Sequence, residues 1–114
     1  MAIPPEITAL IERLNQELDQ TSKLATEVLN IVRSRLLRFP DNAILIQFFA
    51  SLSSFRLFVD NSRGRIQTIF EQLLLVEVNT DLAIQEAGED LSTLLGLTLE
   101  AKMVIDRIKT RMGS

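Results

Sequence analysis

Glu86, Glu89 and Asp90, in the run QEAGED, stand at i, i+3 and i+4, a spacing that sets three carboxylates on one side of a helix. Such a cluster could share a divalent cation. Di-iron carboxylate bundles complete their sites with Glu-x-x-His ligands, and this 114-residue chain has no histidine. It has no cysteine either, which excludes disulfides, thiolate nucleophiles and zinc sites built on Cys or His. The three acids are expected to be solvated residues in the first turns of a helix.

General acid–base catalysis loses its usual agent with histidine. The chain has serines and the three lysines Lys23, Lys102 and Lys109, but no Ser/Lys pair has a distinguishing spacing. Neither Gly64-Arg65 nor Gly88-Glu89-Asp90 is a phosphate loop. We identify no catalytic residue, no metal ligand set and no cofactor motif, and expect a protein that is not an enzyme.

The other chemistry is arginine. Arg33, Arg35 and Arg38 form one cluster, and Arg107, Lys109 and Arg111 another. The planar guanidinium suits bidentate recognition of carboxylates and phosphates. Whether the two clusters act together depends on the elements that carry them.

After Pro4-Pro5, apolar residues recur at Ile7, Ile11, Leu14, Leu18, Ala25, Val28, Val32 and Phe39, with Thr21 and Arg35 as polar members of the register. Steps of four and three mark one helix face. Proline suits the first turn, and Pro40 closes the helix by disfavouring α geometry at Phe39. Asp41 is the expected cap of the next helix.

The second face runs Leu45, Phe48, Leu52, Phe55, Val59, Ser62, Ile66, Ile69, Leu73 and Val76. It crosses the polar run DNSRGR (60–65) without losing phase, which favours one continuous helix over a loop, with a bend at Gly64 as the alternative. Arg56, Asp60 and Arg63 have the spacing of surface ion pairs. The run EVNTD (77–81) separates this helix from the next, with Asn79, Thr80 or Asp81 as cap. The third face reads Ile84, Ala87, Leu91, Leu94, Thr98, Ala101, Ile105, Ile108 and Met112.

These patterns predict an all-α protein, an antiparallel up-down-up bundle of three long helices at about 5–39, 42–76 and 81–112. Residues 1–112 form one domain, and Gly113-Ser114 reads as a cloning remnant. Length and helix count are those of a spectrin-like repeat. The chain has no tryptophan and none of that family's marking positions, so no family is assigned.

Helices one and three then run parallel, and both basic clusters share one end of a rod. The other end gathers Glu6, Glu12, Glu17, Asp19, Glu71, Glu77, Asp81, Glu86, Glu89 and Asp90, with Arg13 as its only cation. Acids at helix starts and bases at helix ends complement the backbone dipole, which explains part of this layout. The functional alternative is a basic end that docks an acidic partner.

The chain also has more apolar surface than one bundle needs. Ile46, Ala50, Ser53, Leu57 and Gly64 form a second line on the middle helix, away from its main stripe. Leu29, Leu36 and Leu37, then Leu97, Leu99 and Met103, extend the surplus to the other helices. Soluble monomers rarely expose large contiguous apolar patches, so a homodimer is expected.

No secretory signal opens the chain, and its longest uncharged run, 42–55, falls short of the ~20 residues that span a bilayer. Net charge is −3, and no Tyr or Trp stands beside the basic residues. The expected location is the cytoplasm, with neither membrane nor nucleic acid as partner. The function expected is a helical protein–protein interaction and oligomerisation module, of a regulatory or adaptor kind, whose other partner is an unidentified protein. A carrier of a small hydrophobic ligand, lined by Phe48, Phe49, Phe55, Phe58 and Phe70, is the alternative.

Overall fold

The computed structural model describes residues 3–75 and 80–113. Helix α1 spans Pro5–Arg38, α2 Ala43–Leu73 and α3 Asp81–Arg111. The described chain is a three-helix all-α bundle, with principal extents of 57 × 18 × 16 Å. Pro5 opens α1, where its missing N–H would have no partner in any case. Pro40 closes it, and the Phe39 N–H donates back to the Arg35 carbonyl at 2.9 Å.

The cap of α2 is Asn42 rather than Asp41. Its Oδ1 accepts from the Leu45 N–H at 3.1 Å, three residues on, the reach of an N-cap side chain. Thr80 caps α3 in the same way, its Oγ1 accepting from the Ala83 N–H at 3.1 Å. Helix α2 ends at Leu73, short of the expected Val76, with Leu74 as its C-cap donating back to the Phe70 carbonyl at 3.2 Å. Val76 and the candidate cap Asn79 lie outside the described residues.

The run DNSRGR is helical throughout, so α2 is continuous across Gly64. A Cβ built on Gly64 meets no atom within 4 Å, and its backbone is not in the left-handed region. Gly64→Ala is therefore expected to leave stability unchanged or raise it by up to about 1 kcal/mol, through the better helix propensity of alanine. Urea unfolding reads this directly. A loss above about 1 kcal/mol would contradict an open helical position.

Ion pairs fix how the helices lie. Arg63 of α2 meets Asp19 of α1 at 2.7 Å, and Arg33 of α1 covers the Phe49 ring of α2 at 5.7 Å, so these two helices are antiparallel. Lys102 meets Glu17 at 3.2 Å and Lys109 meets Glu27 at 2.7 Å, so α3 runs parallel to α1. Helix α1 packs along both others, while α2 and α3 meet each other more sparsely.

The core divides into two apolar clusters. One gathers Leu14, Leu18, Val59, Ile66 and Leu91, and the other Ala25, Val28, Val32, Leu52 and Ile105, each with its neighbours. Every helix also buries one small hydroxyl residue. Thr21 donates to the Glu17 carbonyl and Thr98 to the Leu94 carbonyl, both at 2.7 Å. The buried Ser62 hydroxyl has no partner among the described residues.

The expected faces of all three helices point inward, with corrections. Leu29, read as surplus, is buried, and Leu95 joins the core of α3. Phe39 and Arg35, read into the α1 register, are exposed: Phe39 is the C-cap and has left helical geometry, and Leu36 takes the inward side of the last turn in place of Arg35. Among the described residues Arg56 and Asp60 form no ion pair, and Arg63 pairs with Asp19 rather than with Asp60.

Candidate functional site

The buried stripe of α2 includes Leu45, Leu52, Val59, Ile66 and Leu73, seven residues apart. Seven residues is nearly two turns, so this stripe fixes the phase of the whole helix. The opposite side faces water and carries the second apolar line. Ile46 is 50% exposed and Leu57 61%, Ala50 and Gly64 are exposed, and Ser53 is half-buried. The five candidate seam residues thus share the outer half of α2.

An 18-residue window of α2 is apolar enough, by length and composition, to cross a membrane, and only 17% of that window is buried. The uncharged run 42–55 understates this helix, because apolar sequence continues past Arg56 to Val59. Leaving the bundle for a bilayer would strip α1 and α3 of their contacts with Leu45, Leu52 and Val59, and would place Arg56 and Asp60 in hydrocarbon. Both steps are costly.

The second surface is the end where α1 and α3 finish and α2 begins. It holds Arg33, Arg35, Arg38, Arg107, Lys109 and Arg111. Lys109 is already engaged by Glu27, whose hydrogen-bonded carboxylate holds the ammonium above the ordinary lysine range. The five arginines form no ion pair among the described residues. Two lie over aromatic rings, Arg33 on Phe49 and Arg111 on Phe48, the latter at 5.4 Å. A depression of about 330 Å³ opens there between Arg35, Phe39, Ile44, Phe48 and Arg111. Leu37, 84% exposed, stands on the last turn of α1. Pro40 is the sequence signal for where α1 ends.

At the opposite end the acids are less bare than the sequence suggests. Arg65 reaches Asp90 at 3.3 Å, so Arg13 is not the only cation there, and Arg63 neutralises Asp19. Glu77 lies outside the described residues. Glu86, Glu89 and Asp90 do not act as a set: Glu89 accepts from the Gln85 side chain and Asp90 from Arg65. Among the described residues, no three acidic side chains stand close enough to hold a metal ion.

The phenylalanines do not converge on one cavity. Phe48, Phe49 and Phe55 pack against the second core cluster and Phe58 against the first, while Phe70 is exposed. Phe55 and Phe58 line an open groove between α2 and α3, with Leu97 and Val104 opposite. Set beside known proteins, the chain matches no family model, no curated protein and no solved structure.

Proposed function

We propose that the protein is a non-enzymatic helical interaction module, which associates with itself through the outer face of α2 and offers its arginine end to an acidic protein surface. The observation that supports this most is the small buried share of the apolar window of α2. A helix with one stripe in its own core and another line of exposed apolar residues has contacts left to make. The reading keeps the chain in solution rather than in a bilayer. Light scattering after size exclusion tests it: the mass is expected to exceed the 12.9 kDa of one chain. A monomer at high micromolar concentration would remove the proposal.

The arginine end has its own test. Arg35 and Arg38 are both exposed, so Arg35→Glu and Arg38→Glu are each expected to change stability by less than about 0.5 kcal/mol. Both should weaken binding to a poly-glutamate probe, as should added salt, since exposed charges more than ~8–10 Å apart are screened in physiological buffers. Binding indifferent to both changes would leave the helix dipole as the sole reason for the cluster.

A further inference from the structure

We infer that the second copy lies antiparallel on the outer face of α2, with its two-fold axis between Ala50 and Ser53. The inference rests on the self-association proposed above and assigns its geometry. The seam reads Ile46, Ala50, Ser53, Leu57: large, small, small, large, at steps of four, three and four. That order is the same from either end. A symmetric dimer requires a patch that complements itself, and reversal about this axis sets Ile46 on the second copy's Leu57 and Ala50 on its Ser53. The two half-exposed large side chains then cover each other, and the small pair lets the helix backbones approach at the centre.

Charge selects the direction. A parallel pair would set both arginine ends side by side and bring Asp60 against Asp60, with no cation between them. The antiparallel pair carries the arginine ends apart. It also brings Asp60, which has no ion pair among the described residues, beside the second copy's Ala43 in the first turn of α2. That turn holds no acid of its own, although Asp41 stands just before its cap, and the backbone N–H groups at a helix start favour a negative charge. Arg56 falls beside the uncharged Gln47. Gly64 lies beyond the end of the seam in this register.

The absence of cysteine makes each introduced thiol unique. Ile46→Cys and Leu57→Cys chains, oxidised separately, are expected to stay largely uncrosslinked, because like thiols in the dimer lie about 16 Å apart along the helix. Mixed before oxidation, they should give a disulfide-linked dimer. Efficient crosslinking of either chain alone would establish the parallel pair and overturn the inference.

A spin label on Gln72→Cys leaves the seam intact and provides the second measurement. Label separations of about 60 Å are expected, against less than about 30 Å for parallel rods. A wild-type dimer that meets neither expectation would retain self-association and discard this face. A monomer that cosediments with anionic vesicles would replace the second copy with a membrane surface and overturn both readings.

Discussion

Leu57→Glu is expected to reduce the associated protein to a single chain while leaving its helix content and thermal stability near those of the parent. The two halves of that result have separate causes. In the bundle, Leu57 is 61% exposed and belongs to neither core cluster, so a carboxylate there remains in water. Surface changes of this kind usually stay within about 0.5 kcal/mol. In the dimer, the same carboxylate would be pressed against Ile46 of the second copy with no cation to meet it. Burying an unpaired charge costs several kcal/mol, and each 1.4 kcal/mol weakens association tenfold. Light scattering and circular dichroism read the two halves independently. A dimer that survives Leu57→Glu would move the interface away from this face, and loss of helicity would place Leu57 in the core.

Five residues away, Leu52→Ala is expected to have the opposite outcome. Leu52 is 0% exposed, and the second core cluster closes around it. Truncation to alanine removes buried methyl groups and leaves a cavity, a loss of about 2–5 kcal/mol. Stability for domains is of the order of 5–15 kcal/mol, so this is a large share. The melting temperature should fall by roughly 10–20 °C. Mass at temperatures where the chain still folds should be unchanged, because Leu52 points away from the seam. A melting temperature within a few degrees of the parent would mean that the assigned phase of α2 is wrong.

The fold was legible because helical phase survives polar interruptions. Thr21 and Ser62 kept their places in apolar registers, and both are buried. The run DNSRGR would have broken that phase had it been a loop. Elsewhere the sequence could not decide, because the deciding contact lay on another helix. Leu29 sits beside the α1 stripe, and only the flanking positions of α2 and α3 make it core rather than surplus. Arg63 had Asp60 within helical reach, yet its partner is Asp19, set by how far α1 and α2 slide along each other. Asp41 and Asn42 are adjacent caps of similar quality, and the turn chose the second. For the candidate site, the composition of the α2 seam was readable. Its exposure was not, since that depends on where α3 packs.

The sparse meeting of α2 and α3 has a consequence for the order of assembly. Helices α1 and α2 are joined by the short turn 39–42, so their contacts close small loops and cost little chain entropy. Those between α1 and α3 join positions roughly eighty residues apart, with α2 as the intervening span. Loop-closure entropy rises with the logarithm of that separation. The α1–α2 hairpin is thus the cheaper nucleus, and α3 arrives later onto a template that already displays the α1 stripe. Until then the hairpin exposes both apolar sides of α2. The interval before α3 docks is when this chain is most open to pairing with the wrong helix.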